Sequence, residues 1–243
     1  MKNMIRYVSL LALLTTAHLT FADDTVTILR AGLWHGDEVT VESGPDWWGI
    51  FPEGDGFTLQ QAPVTITLEY DAIMDEEGQA TGKRVKVPQE AEPVLLIRGI
   101  AGLKEGRLNT PKAAPWKTFV YPGQSIDLKL SEGKQPEYVA LQVLGGVKTG
   151  GSVTDLLLND YTFNMFQHSG RDIITQTLAT IPGNTDGHPE FVWAGDIDRD
   201  GKVDVLLNIT NHYVVTHLVL YLSSAAKEGE LVGKVAEHKT AGC

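Results

Sequence analysis

Apolar and polar side chains take turns along most of this chain. Thr25-Val26-Thr27-Ile28-Leu29 and Val64-Thr65-Ile66-Thr67-Leu68, the second running on to Tyr70, place β-branched residues at a period of two. That period turns one set of side chains toward a core and the other toward water, which is the signature of a half-buried strand. The same reasoning predicts strands over 37–41, 47–51, 83–87, 93–98, 116–121 and 125–130, and further along over 137–144, 153–158, 161–167 and 172–178. Ser43-Gly44-Pro45, Glu53-Gly54-Asp55-Gly56, Glu77-Gly78 and Tyr121-Pro122-Gly123-Gln124 fall between these segments, where Gly and Pro end strands and build turns. A short turn from Ser223 to Lys227 is the sole helical candidate, and neither heptads nor internal repeats are present. The chain therefore reads as all-β, antiparallel and sandwich-like, or as two β-rich halves. Glycines 145, 146, 150 and 151 mark a flexible loop, which sets an N-terminal β-rich domain over 23–148 and a C-terminal β-rich region over 149–243.

The first residues follow a different rule. Lys2 and Arg6 precede a short apolar run from Val8 to Leu14, and Thr20-Phe21-Ala22 places small residues three before and one before a cut after Ala22. This is the pattern of a secretory signal peptide over 1–22. The apolar run, interrupted by Thr15, Thr16 and His18, is too short to span a bilayer, and no cysteine lies nearby to carry a lipid. The expected destination is export, to the periplasm or the extracellular space.

Charge narrows the partners. The chain of 243 residues carries 20 Lys+Arg against 31 Asp+Glu, a net −11, and loss of Lys2 and Arg6 with the leader makes it more acidic still. Nucleic-acid binding driven by counterion release needs a basic face, so no nucleic-acid partner is expected. No other segment approaches the length of a membrane span. The single cysteine, Cys243, excludes a disulfide framework and a multi-cysteine zinc site. As a terminal thiol in an oxidising compartment it can pair with another chain.

One stretch carries chemistry at a definite spacing. From Phe191 the chain reads FVWAGDIDRDGKVDVLLNIT, with Asp196, Asp198 and Asp200 alternating, Gly201 next, and Asp204 at the ninth loop position. Ca²⁺ takes six to eight oxygen ligands at about 2.3–2.6 Å. Three alternating carboxylates on a tight loop can converge on one point while Ile197 and Arg199 face away. Gly201 permits the sharp turn that brings the Lys202 carbonyl inward, and Asp204 closes the sphere. The predicted ligands are thus Asp196, Asp198, Asp200, Lys202 through its backbone, and Asp204. The loop is not an EF-hand: position 12 is Leu207 rather than Glu, and the flanks read as strands.

A strand ending in G-D-x-D-x-D-G-x-x-D and followed by an apolar strand resembles the FG-GAP or VCBS-type repeat of integrin-like β-propellers and exported bacterial proteins. The matching residues are Phe191, Gly195, Asp196, Asp198, Asp200, Gly201, Lys202 and Asp204. The resemblance covers about residues 190–210, in a single copy and without the Gly-Ala-Pro element, and it implies the same calcium ligands. A propeller would require the loop several times. The stretch from Trp47 to Gln124 is similar to a family of secreted bacterial β-proteins with no assigned activity.

Other candidates are weaker. Asp186, His188 and Glu190 alternate, but Gly187 and Pro189 make a polar loop the better reading. His212 lacks an accompanying nucleophile motif, and neither G-x-S-x-G, H-E-x-x-H, a phosphate loop nor C-x-x-C occurs. Trp47 and Trp48 on one strand face opposite ways, one into the core, the other available as a sugar platform. Asn208-Ile209-Thr210 fits a glycosylation sequon inside a strand, a poor acceptor position.

Two functions follow as expectations. The first is an exported, non-enzymatic β-scaffold that uses calcium for rigidity and meets a protein or glycan partner in interaction or surface association. The alternative is a secreted hydrolase acting on polysaccharide, with calcium as a structural ion and carboxylates such as Glu42, Asp46 or Glu53 near the tryptophans. A glycosidase needs two carboxyl groups at about 5–5.5 Å or 6.5–9.5 Å across a groove.

Overall fold

The computed structural model describes residues 25–112, 115–149 and 156–241. The leader and its cleavage point, Cys243, and glycines 150 and 151 lie outside the described residues. Strands dominate. The first eight are β1 (Thr27–Leu29), β2 (Gly32–Trp34), β3 (Trp48–Glu53), β4 (Gly56–Gln61), β5 (Thr65–Glu69), β6 (Gly82–Lys86), β7 (Leu95–Arg98) and β8 (Gly106–Arg107). Then come β9 (Thr118–Phe119), β10 (Ser125–Asp127), β11 (Tyr138–Thr149), β12 (Leu156–Ser169), β13 (Asp172–Thr185), β14 (Glu190–Gly195), β15 (Asp204–Asn208), β16 (Val215–Leu222) and β17 (Gly233–Ala241). Helix among the described residues is limited to one 3-10 turn, Ser223–Ala225, inside the segment expected to be helical. The protein is all-β, as the periodicity requires.

The strands form four antiparallel sheets, ordered β1-β7-β3-β4-β8, β2-β6-β5, β10-β11-β12-β13 and β17-β16-β15-β14-β9. Three apolar cores fix how they stack. Leu141, Val143, Phe163 and Leu158 of the β10–β13 sheet pack against Phe191, Val205, Leu207 and Val219 of the β14–β17 sheet. The opposite face of that second sheet, with Val192, Leu206, Leu218 and Leu220, packs on Ile50, Leu59, Leu95 and Ile97 of the β1–β7–β3 sheet. Leu29, Phe51 and Leu96 on the far side of the latter meet Val85 and Ile66 of the small sheet. The result is a sandwich of stacked layers whose inner sheets are covered on both faces.

That layering explains where the sequence pattern and the structure part. All five residues of β15 are buried, and between Asp204 and Asn208 it carries an unbroken apolar run, Val205-Leu206-Leu207, rather than the alternation of a strand with one wet face. The segment 37–41 is not a strand: Glu38 accepts the His35 N–H at 3.0 Å, and Lys83 Nζ donates to the Val39 carbonyl at 2.6 Å, which holds a turn. The expected strands over 116–121 and 125–130 shorten to two and three residues. Strands β4, β16 and β17 form beyond the segments that local pattern had marked. β11 and β12 pair along their length, and the expected division at 148/149 falls inside β11, one residue before its end. In β14 a bulge between Phe191 and Trp193 turns both Val192 and Trp193 toward the second core.

Candidate metal centre

The acidic loop joins β14 to β15, the hairpin at the centre of the doubly covered sheet. Its two ends are fixed by that sheet: Gly195 pairs with Asp204, and Asp196 N–H donates to the Asn109 carbonyl at 2.9 Å. Between them the aspartates fold the loop onto itself. Asp196 Oδ2 accepts the Gly201 N–H at 3.0 Å, Asp198 Oδ1 the Asp200 N–H at 3.3 Å, and Asp200 Oδ1 the Lys202 N–H at 2.8 Å. Gly201 sits at φ +83°, a conformation only glycine adopts freely. Arg199, at φ +63°, faces away as expected and donates to the carbonyls of Lys104, Glu105 and Arg107 at 3.2–3.4 Å, which ties the loop to the neighbouring layer. Ile197 is fully buried in the second core.

Asp204 is the anchor. It is 0 % exposed; its Oδ2 accepts the Ile197 N–H at 2.7 Å and its Oδ1 the Ser223 N–H at 2.8 Å. Ser223 Oγ lies 3.1 Å from Asp204 Oδ1 and 2.9 Å from Asp200 Oδ2, and its single proton serves one of them at a time. Asp196 is 6 % exposed, and its Oδ1 is buried with no hydrogen-bond partner. Carboxylate oxygens of Asp196, Asp198 and Asp204 lie within 4.8 Å of one another. Two ligands at about 2.4 Å on opposite sides of one cation stand about 4.8 Å apart, so a single ion reaches all three. The residues fit a metal: the cluster offers hard oxygen donors only, and one of them is a desolvated oxygen without a proton donor.

Electrostatics point the same way. Burial, reinforced by the charges of Asp200 and Asp198, raises the pKa of Asp196 above the usual carboxylate range. Burial also pushes Asp204 well up, opposed by the N–H groups of Ser223 and Ile197. Charge on these groups is costly alone and favourable beside a cation. Of the five predicted ligands, the structure gathers Asp196, Asp198 and Asp204. Asp200 belongs to the same loop, but its carboxylate is engaged with Ser223 and Lys202, and Lys202 lies at the exposed rim. Ser223 is the part of the site that the sequence does not reveal, since it is 19 residues from Asp204 and nothing local marks it.

No family model, curated protein or solved structure matches the chain. Its own geometry must speak for it. Among the described residues no helix is long and apolar enough to cross a membrane, and one cysteine cannot form a disulfide within the chain.

The remaining candidates disperse. His212 Nε2 stands 3.8 Å from Asp186 on the surface, His188 packs beside Phe119, and Glu190 contacts Asn208 at 3.4 Å, so Asp186, His188 and Glu190 do not converge. Trp47 is fully buried under the Arg98 guanidinium, 4.8 Å from the ring, and Trp48 is partly buried against the second core. Glu42, Asp46 and Glu53 are exposed. The Asn208 side chain is buried and accepts the His217 N–H at 2.9 Å, a position no glycosylating enzyme reaches in the folded chain.

Proposed function

We propose that this protein is an exported calcium-binding β-scaffold, non-enzymatic, serving interaction or surface association, with the ion bound by Asp196, Asp198 and Asp204 and completed from Asp200 and the Lys202 carbonyl. The observation that carries the reading is the buried Asp196 Oδ1, an acceptor with no donor beside two further carboxylates. The single FG-GAP or VCBS-like repeat and the leader-like N-terminus support calcium and export respectively. A cation there neutralises a desolvated cluster and locks the hairpin on which three layers rest, which is a structural task. The three buried carboxylates among the described residues are Asp71, Asp196 and Asp204; Asp71 is paired with His35, and the other two belong to this loop, so the buried acids favour the scaffold reading over a hydrolytic pair.

Titration calorimetry of the full chain with calcium, magnesium and manganese tests the reading. Calcium heat with Kd of about 10⁻⁵–10⁻³ M, lost in Asp198→Ala, is expected. No heat with any of the three cations, or equal heat in the variant, overturns it.

A further inference from the structure

Beside the metal loop lies a cleft of about 260 Å³, and its charge is opposite to that of the chain around it. The chain is acidic throughout, with 31 Asp+Glu, yet no carboxylate lines this cleft. Lys134 and Lys202 stand on its walls, with Gln135, Gln167 and Ser169 as the remaining polar side chains. Its floor is aliphatic: Val139, Met165, Val203 and Leu231 are each at most 9 % exposed. We propose that this cleft is a binding site for a small aliphatic carboxylate, the anion held between Lys134 and Lys202 and the hydrocarbon lying on the Met165–Leu231 floor.

The walls are built in advance. Gln135 Nε2 donates to the Glu132 carbonyl at 3.0 Å and to the Gly201 carbonyl at 3.3 Å, which fixes the segment bearing Lys134 against the loop bearing Lys202. On the other side the Gln176 amide holds the 231–232 segment: its Oε1 accepts the Leu231 N–H at 2.7 Å and the Val232 N–H at 3.1 Å, and its Nε2 donates to the Val232 carbonyl at 2.7 Å. A ligand therefore orders little of the protein on entry, which spares it the main entropic cost of binding. Two lysines in the lining and no carboxylate make the cleft locally positive in a chain of net negative charge, so it discriminates by charge as well as by shape. The lack of an aromatic wall disfavours a sugar ring, which stacks on aromatic faces. The volume matches a chain of several carbons rather than a large cofactor. The cleft shares Gly201 and Lys202 with the acidic loop, but it uses the Lys202 side chain rather than its carbonyl, so the anion site does not depend on which cation, if any, the loop binds.

The test is saturation-transfer and methyl NMR on the full chain with hexanoate as probe and hexanol and hexylamine as controls, all in excess calcium and again in chelator. Hexanoate should bind at least about tenfold more tightly than either control, as expected for a charge-assisted contact, and should shift the Met165 methyl signal. Lys134→Gln and Lys202→Gln, both surface changes that leave the fold intact, should each weaken hexanoate about tenfold without changing hexanol. Equal binding of hexanoate and hexanol, or unchanged hexanoate affinity in both lysine variants, overturns the proposal. A failure of calcium to bind in the calorimetry above, with the hexanoate results as expected, removes the metal reading and leaves this one standing.

Discussion

Replacing Asp204 with alanine should weaken the fold whether or not a cation is present, whereas Asp198→Ala should weaken only the cation-bound form. Asp204 accepts two buried backbone N–H groups, from Ile197 at 2.7 Å and Ser223 at 2.8 Å, and lies near Ser223 Oγ at 3.1 Å. Alanine leaves both N–H groups without an acceptor inside the protein, at about 1–3 kcal/mol each, partly offset because a desolvated carboxylate is also removed. A net loss of about 3 kcal/mol is expected, which for a chain of this size lowers the melting temperature by about 6–12 °C. Asp198 is half-exposed and makes one long contact, 3.3 Å to the Asp200 N–H, so its truncation in chelator should cost less than about 0.5 kcal/mol. In calcium at a hundredfold excess over Kd, the wild type gains about 2.7 kcal/mol, and Asp198→Ala forfeits that gain. Differential scanning calorimetry of the three proteins, with calcium and with chelator, reads both effects. An Asp204→Ala melting temperature equal to wild type in chelator, or an Asp198→Ala protein that still rises fully with calcium, would refute the division of labour between an anchoring and a ligating aspartate.

Gly201→Ala should cost about 1 kcal/mol by thermal melting in chelator, because φ is +83° while the space around an added Cβ is open, so strain is the whole penalty. Tyr161→Phe should lower the urea midpoint by the equivalent of about 1–2 kcal/mol at an unchanged m-value, since the buried hydroxyl donates to the Val120 carbonyl at 2.6 Å and nothing replaces it. The His35–Asp71 pair should make stability depend on pH. The hydrogen bond to Asp71 raises the pKa of His35, so this contribution is complete below the unfolded histidine value of about 6.5 and fades as pH rises through the folded value. The same bond lowers Asp71, so the pair also loses strength as pH falls below the ordinary aspartate range. Urea unfolding of wild type and His35→Gln should differ more at pH 5.5 than at pH 8.5, and an equal difference at both would show that the pair is not linked to protonation.

Local chemistry makes the acidic loop legible in the sequence. Alternating carboxylates closed by Gly201 bring Asp196 and Asp198 to one side within a single turn, because side-chain direction there depends only on neighbouring backbone angles. The net charge of −11 is likewise a sum that folding does not alter. What sequence could not assign was the role of each aspartate. Asp204 became an anchor and Asp200 a partner of Ser223 because the 3-10 turn after β16 arrives over the loop, a contact across 19 residues. The cleft beside Lys134 and Lys202 arises in the same manner, from segments more than 60 residues apart in the chain.

The all-β class was set by a period of two that many of the strands carry within themselves, independent of their neighbours. The order of layers was not, since a strand's own pattern says that a face is buried but never against what. β15 and β16 lie in a sheet covered on both sides, and their apolar runs lose the alternation that marks a strand elsewhere. The short strands β8 and β9 carry almost no periodicity and exist because β4 and β14 offer unpaired edges to them. Sequence alone marked most of the strand-forming segments and the one loop of alternating carboxylates. Tertiary structure decided which carboxylate oxygens converge and which layers meet at that loop, because burial and long-range hydrogen bonds are properties of the packed chain and not of any segment in it.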